Sequence, residues 1–133
     1  MSAQVAADTE KYTIEVDDDI DAIVHTWDAF AAGQEFRDGC NELLDVIRWN
    51  GKSKLLVDTS GIQAHDEADK EWLQEEWIPE TIETGIEYSV SVTGDSVISE
   101  MEMEEFVDQA QDLDYTYVLA GDMGEAREWI AEQ

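Results

Sequence analysis

The sequence predicts an α/β fold: a single mixed, mostly parallel sheet covered by helices, with the element order β-β-α-β-α-β-α-β-α. Stretches in which apolar and polar residues alternate, as in a strand, are interspersed with stretches that place an apolar residue every three or four positions, as in a helix. The first two strands have no helix between them, which predicts a hairpin and one antiparallel pair. Each later strand follows a helix, and such crossovers give parallel neighbours.

The domain is predicted to span residues 11–133, after a flexible N-terminal tail at residues 1–10. The first strand is predicted at residues 12–16, where Tyr, Ile and Val alternate with polar residues. Residues 17–21 supply an acidic turn, and the second strand follows at residues 22–27.

The first helix is predicted from Gln34 to Asn50, where Gly51 provides a C-terminal stop. Its apolar stripe consists of Phe36, Cys40, Leu43, Leu44 and Ile47. Glycine inside a helix costs roughly 1 kcal/mol relative to alanine, so Gly39 predicts a close contact between this helix and the sheet. Residues 55–57 are continuously apolar, as expected for a central strand that is covered on both faces.

The second helix is predicted to begin at an N-cap, Asp66, and to run until Pro79 interrupts it. The residue before a proline disfavours helical geometry, so Ile78 is expected to leave the helix. A kink and another short turn to Gly85 should follow. Residues 86–92 alternate again, which predicts a strand with one wet or lightly covered face.

The end of the chain predicts a helix, a strand and a final helix. Ser99 and Glu102 form a capping box before a stretch of helical periodicity. Residues 115–120 are predicted to form the last strand. Asp122 and Glu125 have the same spacing and predict the start of the closing helix.

The charge of the chain is its most unusual property: 34 acidic against 7 basic residues give a net charge of −27 on 133 residues. A folded protein of this size exposes roughly 7,000 Å², so evenly spread acids would lie about 14 Å apart. The Debye length is about 8 Å at physiological salt and about 3 Å at 1 M, so only molar salt screens their repulsion fully. The composition therefore predicts a protein adapted to the salt-filled cytoplasm of a halophilic organism. An acidic nucleic-acid mimic is the alternative.

Composition also excludes several classes of partner and compartment. No basic patch exists to neutralise phosphates, which argues against binding to nucleic acid or to anionic lipid. No apolar run approaches membrane-spanning length, and residues 1–10 lack the features of a signal peptide. A single cysteine cannot form an internal disulfide. We therefore expect a cytoplasmic protein without membrane insertion.

The predicted elements resemble the STAS domain, the fold of bacterial anti-sigma-factor antagonists, and more closely a little-characterised group of STAS-like proteins. The resemblance is carried by WLQEEWIP at residues 72–79, LVD at residues 56–58, Gly85, and EAREWI at residues 125–130. It covers nearly the whole chain and implies a regulatory, protein-binding role. The fold is also similar to the CRAL-TRIO lipid carriers, which have an apolar cavity.

In STAS antagonists a kinase phosphorylates a serine of an Asp-Ser-Ser/Thr-Gly motif at the start of the second helix. Residues 58–61, Asp-Thr-Ser-Gly, match this motif superficially, but they directly follow a strand and precede the helix signal at Asp66. With the strands aligned, Asp66 is followed by Glu67 and Ala68 at the place of the motif, and neither has a hydroxyl. We therefore expect the switch serine to be missing, and residues 59–61 to form a turn.

The resemblance predicts a non-enzymatic module that binds a protein partner or a second copy of itself, as a homodimer, through the second helix and the loop before it. The predicted recognition and scaffold residues are Asp58, Ser60, Asp66, Trp72 and Trp77. On a regular helix Trp72 lies about 100° from Leu73, at the edge of the apolar stripe. An indole there either packs against a neighbouring loop or forms part of a partner surface.

Two other functions remain open at this point: a carrier or sensor of an apolar small ligand, which needs a cavity between helices and sheet, and a small enzyme. No catalytic residue is predicted, because Cys40 lies on an apolar stripe and is not spaced as a nucleophile with a histidine base. Two His and one Cys cannot form a structural zinc cluster. Residues 17–21 lack the Gly and Glu positions of an EF-hand. No metal or cofactor is expected.

Overall fold

The described residues include six strands of one mixed sheet, and their order across the sheet follows their order along the chain. The structure is a computed structural model and describes residues 3–28, 33–58, 67–92 and 116–133. The strands are β1 Ala3–Asp8, β2 Tyr12–Asp17, β3 Ala22–Trp27, β4 Lys54–Asp58, β5 Tyr88–Val92 and β6 Thr116–Ala120. The pairs β1–β2 and β2–β3 are antiparallel, and the three later pairs are parallel. The α/β class and the single mixed sheet are therefore confirmed.

The described helical segments are α1 Gln34–Asn50, α2 Glu67–Trp72, a π-helical turn Leu73–Trp77, α3 Ile78–Glu83 and α4 Met123–Ala131. Two predicted helix ends are confirmed in atomic detail. The amide of Gly51, at φ 62°, donates to the Ile47 carbonyl and closes α1. The Asp122 side chain accepts from the Glu125 amide at the start of α4, at 2.8 Å. The helix predicted from Ser99 lies outside the described residues.

Residues 3–8 form an edge strand where the sequence predicts a flexible tail, so three strands precede α1 rather than two. The turn that joins β1 to β2 is closed by Thr9, whose hydroxyl accepts from the amides of Lys11 and Tyr12. Alanine has low strand propensity and gives no alternation, so β1 has no sequence signature of its own. Pairing with β2 is what orders it.

The chain stays helical through Pro79, and the predicted departure at Ile78 is wrong: Ile78 has φ −62° and ψ −47°. A π-helical turn explains this, because the Ile78 amide bonds the carbonyl of Leu73, five residues earlier. Pro79 then lies in the first turn of α3, where its missing N–H is not needed. The Thr81 hydroxyl donates to the Trp77 carbonyl at 2.9 Å and supports this junction.

The core lies on both faces of the sheet. One face, formed by alternate residues of β2 to β4, packs against α1 and the segment from Leu73 to Ile82; its centre includes Ile14, Ile23 and Leu55. The opposite face packs against α4. Residues 86–92 are covered more completely than predicted, because Ser89 and Ser91 are buried as well as the valines between and after them.

The carboxyl ends of β3 to β6 lie at the same edge of the sheet, because these strands are parallel. This edge, called here the carboxyl edge, is marked by Trp27, Asp58, Val92 and Ala120. Helices α1 and α4 begin after strands that end there. In open α/β sheets this is the edge at which ligands bind.

Candidate functional site

Three of the five predicted recognition residues, Asp58, Trp72 and Trp77, lie within the described part of the chain. Asp58 is half-buried at the end of β4, in register between Thr26 of β3 and Val92 of β5. Ser60 and Asp66 lie outside the described residues. Trp72 and Trp77 follow on α2 and the π-helical turn, but they have different environments.

Trp72 is half-buried and packs against the core on the α1 side of the sheet. The guanidinium carbon of Arg37, from the first turns of α1, lies 5.6 Å from the centroid of the indole. This separation is within the range of a cation–π interaction. The indole is therefore held between the core on one side and a cation on the other, with part of its surface left in water.

Arg37 is in turn fixed by Asp69, which is only 1% exposed. One carboxylate oxygen accepts from Arg37 Nε at 3.3 Å, and the other accepts from the amide of Gly33 at 2.8 Å. A buried carboxylate needs such partners, since an unpaired one is costly to desolvate. Asp69 therefore ties the start of α1 to α2 and sets the position of Arg37 over Trp72.

The contributions of Arg37 and Asp69 were not predicted from the sequence, although one signal was present. Asp69, Leu73 and Trp77 are spaced at i, i+4 and i+8 and thus share one helix face. An acid on an otherwise apolar face predicts a buried, partnered carboxylate. The cation that pairs with it lies 32 positions earlier and has no local signature.

The solvent side of this segment is acidic. Glu71, Glu75 and Glu76 are exposed, and Ala68 is exposed beside them. The half-buried indole and the Arg37 guanidinium thus lie beside a row of carboxylates. This group of residues, Arg37, Asp69, Trp72 and the acids on α2 and the π-helical turn, is called the α2 surface below.

Trp77 has a structural position. Its side chain is buried, and its Nε1 donates to the carbonyl of Cys40 on α1 at 2.9 Å. An indole N–H in a core normally finds such an acceptor. Of the two predicted tryptophans, Trp77 therefore joins helices, and Trp72 is the one that reaches the surface.

The thiol of Cys40 and the imidazole of His25, the one histidine within the described residues, are both buried. Burial, together with the charge of Asp69, raises the pKa of the Cys40 thiol, so the thiolate is disfavoured. Burial lowers the pKa of His25 to about 3. Neither imidazole nitrogen of His25 has a hydrogen-bond partner among the described residues.

His25 lies in an aromatic stack within the core. Its ring centroid is 5.2 Å from that of Tyr12 and 4.7 Å from that of Trp27. Trp27 continues the stack to Phe36, with centroids 5.4 Å apart. The imidazole therefore packs as an aromatic side chain between Tyr12 of β2 and Trp27 of its own strand.

The acidic turn at residues 17–21 is occupied by the protein's own cations. Lys52 Nζ lies 3.2 Å from Asp18 and 2.6 Å from Asp21, and Arg127 of α4 pairs with the buried Asp17. The hydrogen bond from Lys52 lowers the pKa of Asp21. Among the described residues no cluster of three or more His, Cys, Asp or Glu is arranged to hold a metal ion.

Comparison of the chain with protein-family models, with curated proteins and with solved structures finds no match. Within the described residues, no helix is long and apolar enough to cross a membrane.

Proposed function

We propose that this chain is a non-enzymatic, STAS-like module that binds a protein partner through the α2 surface. The observation that carries the proposal is the placement of Trp72: half-buried against the core, under the guanidinium of Arg37, which the buried Asp69 holds. Tryptophan and arginine dominate the binding energy of protein interfaces, above all where they are held in place before binding.

The order of elements after β1 supports the STAS-like part of the proposal. The additional strand β1 departs from the predicted order, but from β3 to β5 the described strands and helices alternate as the resemblance implies. The absence of a hydroxyl at positions 67 and 68, in the first turn of α2, agrees with a module that lacks the phosphorylation switch. The partner would then be bound or released by other means.

The chemistry of the described residues supports a binding role over a catalytic one. The single thiol is buried with a raised pKa, and the one described histidine is buried with a lowered pKa. Both groups are withdrawn from water and from any substrate. Trp72 and Arg37, by contrast, combine partial exposure with defined positions, which is what recognition requires.

The negative charge of the α2 surface indicates the surface chemistry that a partner should have. The α2 surface presents carboxylates around one apolar ring, and the whole chain carries −27. A partner should therefore bring an apolar side chain for Trp72 and a neutral or basic rim. Among the described residues, five Lys and Arg side chains are in ion pairs with the chain's own acids: Lys11, Arg37, Arg48, Lys52 and Arg127. With 34 acids against 7 bases, most acids have no basic side chain to compensate them, which supports adaptation to high salt.

The test is capture of partners in the host at its native salt, with a tagged wild-type chain and three variants. We expect Trp72→Ala and Arg37→Met to lose the protein that the wild type retains. Trp129→Ala is the matched control, because Trp129 is also half-buried but lies on α4, which packs on the opposite face. Melting curves must show that each variant folds. A partner retained by both α2-surface variants would contradict the proposal. A stoichiometric apolar small molecule in the native mass spectrum of the wild type would instead favour the alternative function, a carrier of an apolar ligand.

A further inference from the structure

Two large apolar side chains are exposed among the described residues, and both border the same groove. Val5 of β1 is 61% exposed and Trp49 of α1 is 93% exposed. The groove between them has a volume of about 400 Å³ and is floored by Val16 of β2 and Val46 of α1. Exposed apolar residues that occur singly need no explanation, but two that share a groove mark an interaction surface.

The strand beside this groove is an open edge of the sheet. β1 pairs with β2 on one side, and no described strand pairs with it on the other. An edge strand presents unpaired amide and carbonyl groups, and another extended strand is the partner that satisfies them in series. Proteins usually protect such edges with charges, lysine or proline. Residues 3–7, Ala-Gln-Val-Ala-Ala, have none of these, although a bulge between Val5 and Ala7 limits the regular length of the strand.

The scarcity of charge in β1, whose single charged residue is Asp8 at its end, points to its occupant. About one residue in four of the chain is acidic, yet no charged residue precedes Asp8. Two copies that each carry −27 repel one another wherever their acidic surfaces meet, and least where the uncharged residues 3–7 of the two strands meet. The two acids that border the groove each interact with a side chain of the same copy. Glu42 accepts a hydrogen bond from the Tyr12 hydroxyl at 2.7 Å, and Asp45 Oδ1 lies 3.8 Å from Arg48 Nη1 in an ion pair.

We infer that β1 and Trp49 form a self-association surface, through which β1 of one copy pairs antiparallel with β1 of a second copy. Such a contact is isologous, since the same strand and the same tryptophan are used on both sides of a two-fold axis. It joins two six-stranded sheets into one and removes the exposed edge. Each Trp49 lies beside the seam and loses water on association.

This inference does not depend on the proposed function, because the two surfaces share no residue: the α2 surface uses Arg37 near the start of α1, and the β1 edge uses Trp49 near its end. Dimer formation through β1 and binding of a basic partner should also depend on salt concentration in opposite ways. Binding of a basic partner weakens as salt is added, since screening removes attraction. Pairing of two acidic copies must strengthen, since screening removes repulsion.

The test is sedimentation equilibrium of the full chain from about 0.5 M to about 3 M KCl, where the Debye length falls from about 4 Å to below 3 Å. We expect a mass of twice 15.0 kDa at the high-salt end and progressive dissociation at the low end. Val5→Lys and Trp49→Gln change exposed side chains and should leave the fold intact. Each should raise the dimer dissociation constant roughly tenfold or more.

Thr116→Lys is the control, because Thr116 is an exposed residue at the start of β6, at the other end of the strand order. It should leave the dissociation constant unchanged. Hydrogen exchange provides a second measurement: the amides of β1 should become protected as protein concentration rises. A single 15.0 kDa species throughout, a dimer indifferent to both variants, or association that weakens with salt would each overturn the inference.

Discussion

The indole of Trp27 occupies the space that a side chain at Gly39 would need. A Cβ atom at Gly39 would lie 2.5 Å from Trp27 Cη2 and 3.1 Å from Tyr12 Cε1. Both rings are buried in the core between the sheet and α1, so neither moves without disturbing its neighbours. The close contact predicted from a glycine inside a helix is therefore confirmed, and its cause is the aromatic stack on β2 and β3.

Gly39→Ala should destabilise the protein even though alanine favours helix by about 1 kcal/mol. The added methyl group overpacks a rigid aromatic site, which typically costs about 1–3 kcal/mol. Chemical denaturation in constant high salt measures the difference. Gly124→Ala is the matched control: its Cβ would meet only the Asp122 carboxylate at 3.3 Å, and the effect should stay below about 1 kcal/mol. Equal changes in the free energy of unfolding for the two substitutions would contradict the conclusion that the rings of Trp27 and Tyr12 leave no room for a side chain at Gly39.

His25 gives a prediction about pH, because it is buried without a hydrogen-bond partner among the described residues. Its pKa is about 3 in the fold and about 6.5 in the unfolded chain, so below pH 6.5 the unfolded state binds the extra proton. The wild type should therefore lose stability as pH falls from about 6.5 towards 3, by up to about 1.4 kcal/mol per unit.

His25→Leu removes this titration and also the unsatisfied polar atoms, so it should stabilise the protein at pH 7 by about 1–3 kcal/mol. The comparison with wild type at each pH isolates His25, since the many carboxylates titrate in both proteins. The measurement is the free energy of unfolding between pH 7 and pH 4 in constant salt. The advantage of His25→Leu should widen as pH falls; two parallel profiles would show that His25 is hydrated or partnered in solution.

The features that could be predicted from the sequence are those with a local cause. Gly51 and Asp122 end and begin helices through bonds to residues three or four positions away, and both were identified. The apolar stripe of α1 follows from helical spacing and is buried as predicted. These signals are complete within a few residues and do not depend on the rest of the fold.

The features that could not be predicted have a distant cause. β1 is ordered by its pairing with β2, and its alanines give no alternating pattern. The chain remains helical at Pro79 because a π-helical turn precedes it, and no sequence pattern predicts such a turn. The orientation of Trp72 depends on Arg37 and Asp69, which meet only after α1 and α2 pack together. The spacing of Trp72 therefore predicted its position at the edge of the apolar stripe and left both packing and a partner surface open, and the two residues that hold it could not be predicted.

The net charge predicts a strong dependence of stability on salt. At about 0.2 M salt each carboxylate of this chain is repelled by several neighbouring carboxylates, whereas at molar salt this repulsion is screened. The melting temperature should rise steadily from a few tenths molar to molar KCl, and the protein should expand or unfold below that range. Differential scanning calorimetry with parallel small-angle scattering measures both effects. A melting temperature that is flat across the range would refute adaptation to high salt.

The ion pair between Arg37 and Asp69 predicts an asymmetric response to substitution. Asp69 is 1% exposed, while the Arg37 side chain is one-third exposed and can reach water. Arg37→Met therefore leaves a buried carboxylate with the Gly33 amide as its remaining described donor, and should cost about 3 kcal/mol or more. Asp69→Asn keeps an acceptor for that amide and leaves only a solvent-accessible cation, so it should cost about half as much.

The double variant tests the coupling directly. Because Arg37→Met and Asp69→Asn remove the same interaction, the combined loss should be smaller than the sum by about 1–2 kcal/mol, whereas independent sites would add. The pair Lys11–Glu35 is the matched control, since both side chains are about half exposed and such surface pairs couple by less than about 1 kcal/mol. Additive losses at Arg37 and Asp69 would mean that the pair is hydrated in solution. Trp72 would then have no cation held in a fixed position. The residues of the α2 surface would take up their binding geometry only when a partner binds.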